Sequence, residues 1–135
     1  MSPFRIEVLT PERSLYRADV DVVVAATVEG QISILAGHAP LVTALGAGPL
    51  LVRGAEGVQL FAVAGGLLRV DHNRAVVLAE AAERADDIDV SQAEEDRGRS
   101  ESALASATGQ RQRDEALRTL RWAETRLRVA RAEKS

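Results

Sequence analysis

The 135-residue chain has no cysteine, which excludes disulfide frameworks, thiolate metal sites and cysteine nucleophiles. Aromatic residues are nearly as scarce: Phe4, Tyr16, Phe61 and Trp122 are too few for a base-stacking platform. An excess of positive charge is missing too. Seventeen basic against 20 acidic residues leave a net charge of −3, so a nucleic-acid partner is disfavoured. Lysine is almost absent, with 16 Arg and the single Lys134, a bias that suits a GC-rich bacterial genome. Arg5 and Glu7 interrupt any export signal at the start of the chain.

What is plentiful is apolar material, 46% of residues, enough for one packed domain and a small appendage. Residues 30–52 contain no Asp, Glu, Lys or Arg, which on length alone could cross a bilayer. Gly30, Gly37, Gly46, Gly48, Pro40 and Pro49 interrupt any helix there, and an isolated strand cannot satisfy its backbone in lipid. The stretch therefore reads as turns and short strands of a soluble domain.

Composition divides the chain near residue 86. The first part alternates in period two: Ile6 and Val8, then Val20, Val22 and Val24, with Glu7, Asp19 and Asp21 between them. Further short runs at 31–35, 50–53, 58–64, 67–71 and 75–79 are separated by Gly54, Gly57, Gly65-Gly66 and His72-Asn73. This spacing predicts a β-sandwich or flattened barrel. In the second part, charge density more than doubles. Asp89 with Gln92 three residues later predicts a helix start, and Gly109 its stop. A second helix is expected over 111–132, making an antiparallel hairpin. Its stripe is Ala116, Leu120, Ala123, Leu127 and Ala130, with Trp122 and Val129 on the other side. The first helix offers a poorer stripe of Val90, Ala93, Leu104 and Ala107.

No enzyme motif can be assembled. Gly46-Ala47-Gly48 begins a dinucleotide fingerprint, but Leu51 stands at the third glycine and no βαβ unit surrounds it. There is no G-x-S-x-G elbow and no H-E-x-x-H, and His38 and His72 are lone loop histidines. Asp86, Asp87 and Asp89 read as charge complementing a helix N-terminus.

Three ordered segments carry a resemblance. Residues 29–45 (EGQISILAGHAPLVTAL), 61–70 (FAVAGGLLRV) and 77–85 (VLAEAAERA) resemble the F-type ATP synthase epsilon subunit, and Val8-Leu9-Thr10-Pro11-Glu12-Arg13 resembles that family's opening strand and turn. The resemblance implies a β-sandwich (residues 1–86) that binds the gamma subunit and the ring of c subunits. It further implies a regulatory helical hairpin (residues 87–135). By resemblance, Thr10, His38 and Thr43 would lie toward gamma and Glu29, Gly30 and Gln31 toward the c ring. Such a chain is non-catalytic and holds no cofactor. It sits peripherally at the cytoplasmic face of a bacterial plasma membrane without inserting, and helps couple ion flow to ATP synthesis. Its hairpin would inhibit ATP hydrolysis by meeting the catalytic alpha/beta head, here through Arg118, Arg121, Trp122 and Arg128 on or beside a basic stripe that also holds Arg111.

The ATP-binding signature of the family is degraded. Ile88-Asp89-Val90-Ser91-Gln92-Ala93 has Gln92 where the family's motif has arginine, and Trp122 replaces the first arginine of a pair that ends at Arg126. Glu83, Asp89, Ala93 and Arg126 are what remains of a nucleotide site. A free-standing nucleotide sensor is thus a competing reading short of two arginines, and an enzyme is a weaker one.

Overall fold

The computed structural model describes residues 3–133; Met1, Ser2, Lys134 and Ser135 lie outside it. Nine strands precede two helices: β1 Phe4–Leu9, β2 Ser14–Val20, β3 Val22–Thr27, β4 Gly30–Leu35, β5 Leu41–Gly54, β6 Gly57–Val63, β7 Gly66–Asp71, β8 Arg74–Ala79, β9 Ala82–Arg84, α1 Val90–Ala105 and α2 Gln110–Glu133. A single 3-10 turn, Ala85–Asp87, joins the two parts. The β-sandwich and helical hairpin expected from the sequence are both present.

The strands form one folded sheet in the order β2-β1-β8-β7-β5-β3-β4, with β6 and β9 continuing from β5. The first half of β5 pairs with β7 (Leu41↔Val70 to Leu45↔Gly66), and the second half pairs with β3 and β6. One strand thereby belongs to both layers. Ile6, Val8 and Val77 from one layer meet Val23, Ile34 and Phe61 from the other, all fully buried. Tyr16 and Phe61 touch across the layers with ring centres 5.2 Å apart.

Two local expectations are overturned. Residues 41–54 are a single 14-residue strand, not a series of short strands and turns. Gly46, Gly48 and Pro49 are tolerated because they lie where β5 changes layers, opposite an irregularity in β3 between Ala25 and Thr27. A side chain at Gly48 would come within 2.7 Å of the Ala26 Cβ, so the close crossing requires glycine. The alternation Val20, Val22, Val24 also fails: Val20, Val23 and Ala25 are buried, while Val22 and Val24 are half-buried. The chain bends at Asp21, and the bend resets which parity faces the core.

The hairpin begins as expected, with the Asp89 side chain accepting a hydrogen bond from the Gln92 N–H at 3.1 Å. It turns differently. α1 ends at Ala105, and Gly109 is the residue before α2, its carbonyl accepting the Arg113 N–H. Ser106 Oγ donates to the Ser102 carbonyl at the end of the first helix, and the Gln112 side chain accepts from Thr108 N–H and Oγ at the start of the second.

Two glycine replacements should have opposite signs. Gly66 sits at φ 140°, and a Cβ there would run into the Leu78 carbonyl, so Gly66→Ala is expected to destabilise the sandwich by about 1–3 kcal/mol. Gly98 lies inside α1 with open space around it, so Gly98→Ala should stabilise the helix by about 0.5–1 kcal/mol. Chemical denaturation followed by circular dichroism measures both.

Candidate functional site

Register rows across the first layer define its outer face. The pairings run Val42↔Arg69, Arg69↔Val76, Val76↔Glu7 and Glu7↔Arg17 in one row. The next outward row runs Ala44↔Leu67, Leu67↔Leu78 and Leu78↔Leu9. The Val28 N–H donates to the Ala44 carbonyl at 3.1 Å, which extends the second row to the β3–β4 turn. Val28 (67% exposed), Val42 (60%) and Leu78 (48%) with Leu67 make an apolar strip open to solvent. At strand spacings of about 4.8 Å, the row from Val28 to Leu9 is roughly 19 Å long. Such an exposed apolar strip marks an interaction surface.

Charge borders this strip on one side. The Glu7 carboxylate receives Arg74 at 2.6 Å and Arg17 at 3.3 Å, and Arg5 pairs with Asp19 at 3.0 Å. The Arg74 hydrogen bond, opposed by desolvation and helped by Arg17, holds the Glu7 pKa below its ordinary value.

The residues expected to face partners are distributed around this face. Glu29, Gly30 and Gln31 form the exposed β3–β4 turn, which Thr27 ties by donating from its hydroxyl to the Gly30 carbonyl at 2.6 Å. Thr10 follows Leu9 at the other end of that row, with its hydroxyl donating to the Arg13 carbonyl. His38 lies at the far end of the strands, beside the β7–β8 turn, in a loop fixed by the Gly37 N–H donating to Asn73 Oδ1. Thr43 shares a register row with the buried residues Leu68, Val77 and Val8, so the outward positions of β5 beside it are Val42 and Ala44. The sequence contains the strip residues, but their union depends on pairing among β1, β8, β7 and β5, which periodicity along one strand does not reveal.

The hairpin packs on the outer face of the second layer. α2 contacts β5, β6 and the 3-10 turn. Val129 and Ala130 meet Ala62, Ala85 and Ile88, with Trp122 and Val90 packed alongside. Trp122 and Val129, which lie off the seam between the helices, thus find their partner in the sandwich. Arg111, Arg118, Arg121 and Arg128 are exposed and have no carboxylate partner among the described residues. A cavity of about 900 Å³ opens between the end of α2 and the sheet, lined by Val24, Gln31, Leu51, Val58, Arg128 and Val129 among others.

Of the remnant nucleotide residues, the structure brings Glu83 and Arg126 together. Arg126 is paired with Glu83 at 2.5 Å and with Asp96 at 3.2 Å. Asp89 instead caps α1, and Ala93 is fully buried one turn further on. Asp96 is the residue that sequence reading misses. Its signal was its place with buried Ala93 and Ser100 at helical spacings of three and four.

Comparison with known proteins decides the family. Residues 3–85 match the family described as "ATP synthase, Delta/Epsilon chain, beta-sandwich domain", and residues 86–131 match "ATP synthase, Delta/Epsilon chain, long alpha-helix domain". The chain belongs to the ATP synthase delta/epsilon family. It is 46% identical over 106 residues to the ATP synthase epsilon chain of Dehalococcoides mccartyi, covering 78% of this chain and 75% of that one. It is 40% identical over 124 residues to the chloroplastic epsilon chain of Jasminum nudiflorum, covering 92% and 93%. Among solved structures, a chain of the Euglena gracilis mitochondrial ATP synthase superposes with a TM-score of 0.82 at 17% identity, covering all of this chain and 83% of the other. The fold is therefore that of the delta/epsilon family, and members of that family are non-catalytic subunits.

The Glu7 cluster yields a pH prediction. A carboxylate with a depressed folded-state pKa contributes stability above its unfolded value, and that stability is lost as pH falls through the folded value. Glu7→Gln should lower the melting temperature at neutral pH, and the gap from the parent chain should close in acid. A constant gap across an acid titration of melting temperature would contradict this.

Proposed function

We propose that this chain is the rotor subunit of an F-type ATP synthase, binding gamma and the c ring through its sandwich and restraining ATP hydrolysis through its hairpin. The observation that carries the reading is the exposed apolar strip from Val28 to Leu9 on a sandwich of delta/epsilon fold. Interface cores are depleted in charge, and this row contains none. The c-ring contact falls to the Glu29-Gly30-Gln31 turn where the strip ends, and gamma takes the strip itself together with Thr10. Docked in this way, the subunit lies peripherally at the cytoplasmic face of the membrane. No helix among the described residues is long and apolar enough to cross a membrane.

The two parts have separate roles because they have separate cores. The large core draws on β1 through β8. The small one, beneath the hairpin, has Ile88 and Val129 as its buried branched side chains among the described residues. Each such side chain contributes about 1.5–3 kcal/mol, so docked and open hairpins differ by a few kcal/mol, within reach of a partner's binding energy. Residues 1–86 are proposed to fold alone, and residues 87–135 to act as the brake. The basic stripe with Arg118, Arg121 and Arg128 would meet an acidic surface of the alpha/beta head once Trp122 leaves the sandwich.

The assembly test uses the fragment 1–86, which should melt cooperatively and copurify with gamma. Leu78→Glu should abolish copurification while leaving the melt of the fragment cooperative; undiminished binding would remove the strip from the interface. The brake test compares ATP hydrolysis by the assembled head with the full chain and with a chain ending at Asp87. Truncation is expected to speed hydrolysis severalfold, and so is reversal of Arg118 and Arg121 to Glu. Equal rates at low salt would end the brake assignment without touching the assembly role.

A further inference from the structure

A charged side chain inside a weakly held interface needs a reason to be there. The Arg126 side chain is only 9% exposed, in a hairpin whose other arginines mostly face solvent. Its Nε donates to Glu83 Oε1 at 2.5 Å and one terminal nitrogen donates to Asp96 Oδ2 at 3.2 Å. Its guanidinium also lies 5.8 Å from the centre of the Trp122 ring. Those partners come from three elements: Glu83 from β9, Asp96 from α1, and Trp122 from α2 itself.

The Glu83 backbone and the Asp96 carboxylate are each fixed by contacts other than Arg126. Glu83 is on β9, where it pairs in register with Ala62 of β6, and Ala62 lies in the apolar floor under α2. Asp96 Oδ1 accepts from Gln92 Nε2 at 3.0 Å and from Arg99 at 3.3 Å. The two carboxylates and two guanidiniums sum to zero charge, so the cluster has no excess positive potential. A planar guanidinium can serve two carboxylates at once, whereas a lysine ammonium is a point charge.

We propose that Arg126 is a built-in latch that holds the hairpin on the sandwich without any ligand, Glu83 being its catch and Asp96 its positioning residue. Any opening that carries α2 away from the sandwich separates Arg126 from β9, whereas Asp96 belongs to the hairpin itself. The Arg126–Glu83 pair is what opening breaks. Leaving Glu83 costs Arg126 a charge-assisted hydrogen bond, which rehydration of the two groups offsets only in part. The latch thus adds a directional, charge-dependent resistance to the small apolar contact formed by Ile88, Val129 and Ala130. It also fills its own site: a polyphosphate reaching Arg126 would have to displace two carboxylates already bound there.

This inference rests on the reading of the hairpin as an element that docks and opens, but its test needs neither gamma nor the catalytic head. Amide hydrogen exchange is measured on the full chain alone, comparing α2 with the sandwich strands β1 and β8. Glu83→Gln keeps shape and hydrogen-bonding capacity while removing the charge. It should speed exchange in α2 by roughly tenfold, the difference between a charge-assisted and a neutral hydrogen bond. Exchange in β1 and β8 should stay unchanged. Arg126→Lys should fall between the parent and Glu83→Gln/Arg126→Gln, and the double variant should exchange no faster than either single change made alone. Millimolar Mg-ATP should leave α2 exchange in the parent chain unaltered. Parent-like α2 exchange in Glu83→Gln would overturn the latch, as would slowing by Mg-ATP, which would show that Arg126 is available to a nucleotide. Because the head is absent, a failed brake would leave these exchange results as they stand.

Discussion

The architecture depends on β5 being able to belong to two layers at once. Leu41–Leu45 completes one layer against β7, and residues 48–54 complete the other between β3 and β6. A strand can cross in this way only if its middle brings little side chain to the crossing. Gly46, Gly48 and Pro49 meet that demand, with Pro49 beside a stretch of β3 that offers no regular ladder. Were the crossing bulkier, the Ala26 contact at Gly48 would push the layers apart and expose Val23, Leu50 and Phe61.

The same crossing creates both working faces. In the first layer it sets Ala44 beside Leu67, and so completes the strip that ends at the β3–β4 turn. In the second layer it presents Leu51 and the outer side of β6 to α2. One face of the sandwich is thus left open to solvent, and the chain's own hairpin covers the other. The sandwich core and the hairpin seam differ in side-chain size. The sandwich core is made of Val, Ile, Leu and Phe, whereas the α1–α2 seam contains buried Ala93, Ala116 and Ala123 with a single fully buried Leu127. Small residues let the helices approach but bury little area each. Into that weak contact the chain puts Arg126, whose ion pairs depend on geometry and not on area.

The sequence determined the element types. β-branched runs, a capped run free of proline and the His72-Asn73 turn are local properties, and they read correctly as element types because backbone preference acts over a few residues. The β7–β8 turn shows this: His72 (φ 47°) and Asn73 (φ 62°) are the two left-handed residues of a tight hairpin. The family signature was legible for the same reason, since it consists of short contiguous segments. Only the tertiary structure decided which faces those elements show. It reset the core parity at Asp21, joined residues 41–54 into one strand, turned Thr43 toward the interior and brought Glu83 and Asp96 together around Arg126. Glu83 and Arg126 are 43 positions apart, and nothing local to either specifies the other. The physical reason is that hydrogen-bonded ladders and packed interfaces are satisfied between distant segments: a residue's own neighbours fix its backbone, but the layer folded over it fixes its partners.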